Sequence, residues 1–415
     1  MSFSKQSFAA DWIYTGATVW IGDADHRTSA ALAVKDGQIL AAGSETEVLR
    51  FAGPATEVED LRGAFVMPGF LDSHTHAPGT ALPDLYEVSL YTCKSPEACL
   101  RAVRRFIREH PEADEVRGAG WDIAGFTDKE LIHGPRKARL DELSDVRPII
   151  LRSYDGHALW LNSAAFARYG ITPRTPEPAG GVIEHDPHTG ALWGTLKEEA
   201  AKLVPPRIYS VQQTVRALKL YQARMHRYGI TGIASIQGAG LGASAEAFQR
   251  MEREGDLLLR IRFAKEIDPE HDVDDQIAAL REVKVRCDGS LFKVTGTKFF
   301  ADGVVEGGTA FLHAPYAAKA GRESDENNAA VWGLGDLASA YRAAQRAGFQ
   351  SITHSIGDAA TRRVLNALRQ AGAVRWREAL ASGAAAIVGG YLGAHLGRRL
   401  DPRLIRAATI ALSVA

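Results

Sequence analysis

From residue 211 to residue 354 the chain repeats one pattern, and that pattern restricts the fold more than any other feature of the sequence. Apolar runs of strand length alternate with segments of helical period. Helices are expected over Val211 to Tyr228, Ala245 to Glu254, Asp275 to Val285 and Asp336 to Ala347. Strands are expected over Ile230 to Ile236, Leu258 to Ala264, Phe292 to Phe300 and Phe349 to His354. Such alternation lays successive strands parallel in one sheet, closed as a barrel or left open and doubly wound. The barrel is favoured, because chemically suggestive residues fall at strand ends and no glycine-rich phosphate loop follows any strand.

Ahead of this region the pattern differs. Trp12 to Gly22 alternates as a strand does, and Ala30 to Val34 faces Gln38 to Ala42 across Asp36-Gly37, a two-residue hairpin signal. Residues 1–66 are therefore expected to form a small β domain. Ser95-Pro96 supplies an N-cap with proline in the first turn, and Leu100, Val103 and Ile107 keep helical spacing behind it. Short strands over Val116 to Ala119 and Pro148 to Ser153, a helix over Ala158 to Arg168, and a hairpin over Gly181 to Leu196 turning at Asp186 to Gly190 read as an insertion at about 110–205. The barrel region then spans 67–371, with this insertion inside it.

The 415 residues, 46% of them hydrophobic, are ample for a large core, and a net charge of −1 offers no basic field for nucleic acid. The three cysteines, Cys93, Cys99 and Cys287, form no CxxC pair, which argues against a disulfide framework or a structural zinc knot. The first ten residues lack an apolar signal core, so a cytoplasmic location is expected. Small-molecule chemistry is the class left standing. Oligomeric state is not fixed by these features.

The chemistry concentrates at His74-Thr75-His76, which closes the apolar run from Phe65. Side chains at i and i+2 of a strand project to one face, so two imidazoles there can hold one divalent ion. With 13 histidines in the chain, about 0.4 such pairs arise by chance, so the strand context carries the inference. Lys298 is either a lysine paired to a carboxylate at the core edge or, if carbamylated, an oxygen donor that bridges two ions. His354 ends an apolar strand as His76 does. Asp302 with Gly303, Asp155-Gly156-His157, and Gly120-Trp121-Asp122 are explicable as turns or as pocket rim.

These residues lie in motifs that resemble, in order, those of amidohydrolase family 3, the N-substituted formamide deformylase-like branch of the metal-dependent amidohydrolases. The motifs are Met67 through His76, Gly120-Trp121-Asp122, Asp155-Gly156-His157 with Asn162-Ser163, Gly229-Ile230-Thr231, Lys298 through Thr309, and His354 to Asp358, and the likeness covers about residues 10–371. It implies a (β/α)₈ barrel beside a composite β domain, and hydrolysis of carbon–nitrogen bonds in small non-peptide amides. One or two divalent ions, zinc foremost, are implied on His74, His76, Lys298 and His354. Lys298 and Asp302 are then the candidate catalytic residues, and Trp121, Asp155 and His157 the candidate substrate contacts.

The family pattern also implies a sixth strand ending in histidine and an eighth ending in aspartate. Past His354 the chain has only His395, Asp358 and Asp401 of those types, and 379–397 carries no Asp, Glu, Lys or Arg. Residues 372–415 resemble the end of a sulfite exporter type permease. The expectation is a junction near Gly372 joining a barrel of about five strands to an apolar helical tail, with membrane association only through 379–415. A chain so built is expected to show little hydrolase activity. The alternatives are an inactive fusion fragment or a membrane-associated fusion.

Overall fold

The computed structural model describes residues 9–178, 181–237, 242–305, 309–314, 316 and 330–372. It divides into two compact units, Met1–Ser73 with Ala223–Ile233, and His74–Gln222 with Ala234–Ala415.

The first unit holds a four-stranded sheet ordered Gln38–Gly43, Ala31–Lys35, Trp12–Thr15, Glu57–Asp60, and a three-stranded sheet ordered Thr28–Ser29, Thr18–Trp20, Phe65–Val66. The expected hairpin is present, with Lys35 opposite Gln38 and both turn residues at positive φ, Asp36 at 49° and Gly37 at 71°. The single strand expected over Trp12 to Gly22 is instead two, broken at Gly16 (φ 62°) and serving different sheets. Gly69 of the motif before the histidines leaves no room for a side chain, since a Cβ there would stand 2.2 Å from the Thr231 hydroxyl.

In the second unit, Val88–Ser89, Val116–Trp121 and Ile149–Ser153 pair in parallel, and Ala158–Leu161, Leu192–Glu198 and Gly181–His185 extend the sheet antiparallel. Alternation along the strands buries both faces: Ile149, Leu151 and Trp160 enter one core, Ile150 and Leu161 another with Ile183 and Leu196. The expected N-cap is in place, the Ser95 hydroxyl accepting from Ala98 N at 3.3 Å ahead of helix Pro96–Glu109. The helix expected over Ala158 to Arg168 is corrected to a strand, Ala158–Leu161, and a short helix, Ser163–Arg168. The reason is Asn162, which is fully buried and accepts from Ile149 N and Ala165 N, capping the helix while tying the strand to its neighbour.

The alternation from residue 211 onward appears as read. Helices Val211–Arg227, Gly242–Arg253, Val273–Arg286, Leu334–Arg346 and Asp358–Ala371 separate or follow strands of a five-stranded sheet ordered Gln350–His354, Phe292–Phe300, Arg260–Glu266, Ile230–Gln237, Phe70–Thr75. This is a curled parallel half-barrel. The histidine-bearing strand is its edge, and Phe70 and Leu71 are exposed there, contrary to the buried run the apolar sequence suggests. The apolar tail and the permease-like stretch lie outside the described residues. Among the described residues no helix is long and apolar enough to cross a membrane.

Candidate active site

Strand Phe70–Thr75 brings His74 and His76 to its C-terminal end, their rings 5.5 Å apart. His76 Nδ1 lies 2.7 Å from the Ile236 carbonyl, which can only accept, so the proton sits on Nδ1 and Nε2 keeps its lone pair. Tyr221 and Thr75 share a hydroxyl hydrogen bond of 2.8 Å, and buried Gln237 donates to the Ala77 carbonyl at 2.6 Å. These contacts fix the segment carrying the histidines.

Lys298 is 2% exposed in strand Phe292–Phe300, with Nζ 4.6 Å from the centre of the Phe300 ring. Burial holds its amine below the usual lysine range, and Glu266, its register partner on the neighbouring strand, works the other way. His354 ends the adjacent strand, and its Nε2 donates to the Gly303 carbonyl at 3.1 Å, leaving Nδ1 as the acceptor. Burial pushes its imidazole below the usual histidine range against that hydrogen bond. Lys298 and His354 thus belong to paired strands, whereas His74 and His76 stand on the opposite edge of the sheet. Among the described residues, no group of three or more His, Cys, Asp and Glu side chains is placed to hold an ion.

Asp302 is 2% exposed, and both its oxygens are taken by the chain itself. Phe311 N (2.9 Å) and Gly357 N (2.7 Å) donate to Oδ2, and Ile356 N (3.0 Å) donates to Oδ1. It ties the segment after Lys298 to the segment after His354. Trp121, expected at the substrate border, is instead a core residue: 2% exposed, Nε1 donating to the Leu151 carbonyl, edge-on to Phe126 and Trp160. The register slips between Ala119 and Trp121, at Gly120 (φ 108°), and that irregularity sets Trp121 in the same core as Val116. Asp155 is exposed and closes a turn, accepting from Ser153 Oγ and His157 N.

His157 is placed otherwise. Its ring centre lies 6.4 Å from that of His354, and Nδ1 is 2.8 Å from Glu198 Oε2. Glu198 Oε1 in turn accepts from the Thr309 hydroxyl at 2.9 Å. Glu198 has φ 50° and ψ −126°, a backbone state that costs a side-chain-bearing residue about 1–3 kcal/mol. Glu198, Gln237 and Glu266 escape sequence reasoning, since no local spacing marks them, and Thr309 enters only as the end of the motif that begins at Lys298. The one available signal is that Glu198 and Glu266 end strands.

The amidohydrolase family model matches residues 57–401, past the position near Gly372 where a junction was expected. The putative amidohydrolase YtcJ of Bacillus subtilis is 30% identical over 349 residues, 82% of this chain and 62% of its own. The N-substituted formamide deformylase of Arthrobacter pascens is 33% identical over 252 residues, 60% of this chain and 46% of its own. The chain therefore spans only about half to three-fifths of these curated relatives. Among solved structures, an uncharacterized metal-dependent hydrolase from Pyrococcus horikoshii superimposes with a TM-score of 0.62 at 22% identity, over 87% of this chain and 68% of that one, a likeness of fold. With the family pattern matched across most of its length and a half-barrel carrying the motif residues at strand ends, this chain belongs to the amidohydrolase family.

Proposed function

We propose that the chain serves a metal-dependent hydrolase acting on carbon–nitrogen bonds of small non-peptide amides, with His74, His76, Lys298 and His354 as ligands. The observation that carries this reading is the pair of histidines on one strand end, with His76 held by a backbone carbonyl so that its other nitrogen is free of that proton. The donor set fits a divalent ion such as zinc, imidazole being its common ligand. Burial that favours the neutral amine of Lys298 supports its carboxylation, because only the neutral amine adds carbon dioxide. The formamide-cleaving relative supports the substrate class.

A divalent ion held by these residues would supply Lewis-acid polarisation of the amide carbonyl and a water of pKa lowered to about 7. The chain's own residues do the rest. His76 and His354 are held in set tautomers by Ile236 and Gly303. Asp302 locks the two segments that follow Lys298 and His354, a positioning part beside the candidate ligands. His157 faces the His354 side, where it can border the substrate. Residues of about 110–205 are read as an insertion.

The test is metal content after reconstitution with zinc, together with turnover of N-substituted formamides, in the wild type and in His74→Ala and His76→Ala. Stoichiometric metal that both substitutions abolish, with turnover, supports the reading. A second reading is a chain of this family that holds metal weakly by itself. It is favoured by the lack of a three-ligand group among the described residues, and trace metal in the wild type would select it.

A further inference from the structure

We infer that Gln237 is a positioning residue that sets how tightly the site holds its ion, by clamping the turn just past His76. The inference rests on the reading of His76 as a metal ligand. Strand Phe70–Thr75 ends one residue short of that histidine, so the strand's own pairing stops before the ring it must present. Two consecutive residues at the end of the neighbouring strand, Ile230–Gln237, take over. Ile236 accepts from the His76 ring through its carbonyl, and Gln237 grips the next residue, its Nε2 donating to the Ala77 carbonyl at 2.6 Å. The same nitrogen donates to Ser235 Oγ at 2.7 Å, so both amide hydrogens are engaged and the reach to Ala77 is set.

Burial gives the clamp its leverage. Ser235 is fully buried, and Gln237 and Ala77 are each 1% exposed, so bulk water cannot stand in for the amide. Polar side chains at i and i+2 lie on one strand face, and burying two of them is costly unless they are hydrogen-bonded, as these are to each other and to Ala77. An apolar side chain of the same length would leave the Ala77 carbonyl without that donor, and the turn would relieve the loss by moving until the carbonyl met water. That movement carries His76 with it, because Gly79 N closes the turn on the His76 carbonyl at 2.7 Å. Thr75, on the strand side, is tied separately to Tyr221, so the displacement falls on the histidine and not on the strand.

Zinc affinity reads the clamp without turnover. Gln237→Met keeps the side chain's length and removes both amide hydrogens. In competition with a chromophoric chelator it should bind zinc about 10- to 100-fold more weakly than wild type, the loss typical when a hydrogen-bonding partner behind a ligand is removed. Thr195→Val is the control, a fully buried hydroxyl that donates to the Pro135 carbonyl at 3.0 Å in the other sheet. Its loss should lower stability and leave zinc affinity within about threefold. A second measurement needs no metal. In metal-free ring-¹⁵N-histidine protein at mildly alkaline pH, where imidazoles are neutral, the His76 signals are identified by their loss in His76→Gln. They should report a proton on Nδ1 in the wild type and move toward the Nε2–H form in Gln237→Met. If Gln237→Met fails to fold, Ser235→Ala carries both measurements with smaller changes. Zinc affinity within about threefold of wild type in Gln237→Met, or an equal loss in Thr195→Val, overturns the inference, as does a Ser235→Ala protein identical to wild type by both measures. Wild-type protein that binds no zinc would sink the ligand reading and the affinity part of this inference with it. The His76 signals would still decide whether Gln237 holds that ring, and unchanged signals in Gln237→Met would overturn it.

Discussion

Replacing Asp302 by Asn tests whether one buried carboxylate holds together the two segments that follow Lys298 and His354. The substitution keeps size and shape and removes the charge. Of the three backbone donors, Phe311 N and Gly357 N share Oδ2, so the amide oxygen can keep those two while its NH₂ faces Ile356 N, a donor against a donor. Hydrogen bonds to a charged group are worth about 1.5–3 kcal/mol against 0.5–1.5 for neutral ones. The two retained bonds therefore weaken by about 1 kcal/mol each, and losing the third adds about 2. The sum, about 4 kcal/mol, corresponds to roughly a thousandfold in an opening equilibrium, at 1.4 kcal/mol per tenfold. Amide hydrogen exchange reads it residue by residue: protection of Phe311, Ile356 and Gly357 should fall by about two to three orders of magnitude. Asp358→Asn is the control, an exposed carboxylate bonded to His313 N and Ala359 N, whose change should leave the protection of Phe311, Ile356 and Gly357 near the wild-type level. Protection of the three amides within about threefold of wild type in Asp302→Asn would refute the reasoning.

Asn162→Ala orphans four backbone groups at a fully buried position, Ile149 N, Ala165 N, and the Ser144 and Arg147 carbonyls, and should cost about 3–5 kcal/mol in urea unfolding followed by tryptophan fluorescence. A loss below about 1 kcal/mol would contradict that network. Cys99, 2% exposed and with its thiol pushed up to about 12 chiefly by burial, should resist iodoacetamide in the native protein near neutral pH and react on unfolding; rapid native labelling at Cys99, located by peptide mass, would count against it. Bicarbonate should raise metal uptake by wild-type protein and leave Lys298→Met unaffected, as measured by elemental analysis. Equal uptake by the two proteins would remove the carboxylated lysine from the ligand set.

Whatever depends on neighbours in the chain was legible from residue order. Period-two and period-3.6 patterns located the alternating strands and helices from residue 211 onward, Asp36-Gly37 specified a hairpin whose turn requires positive φ, and Ser95-Pro96 marked a helix start. The histidine pair on one strand end was legible for the same reason. What depends on partners distant in the chain emerged only once the strands had paired. Apolar spacing alone made Ala158 to Arg168 a helix, but pairing with Ile149–Ser153 and the hydrogen bonds of Asn162 split it into a strand and a helix. Trp121 reads equally well as rim or core until the register slip at Gly120 and the Leu151 carbonyl set it in the core. Glu198 reaches His157 across 41 residues and Thr309 across 111, separations that leave no periodic trace. Local geometry is written in spacing because the backbone repeats every two or 3.6 residues, whereas the partners that set a tautomer or hold a carboxylate meet only after the chain has folded.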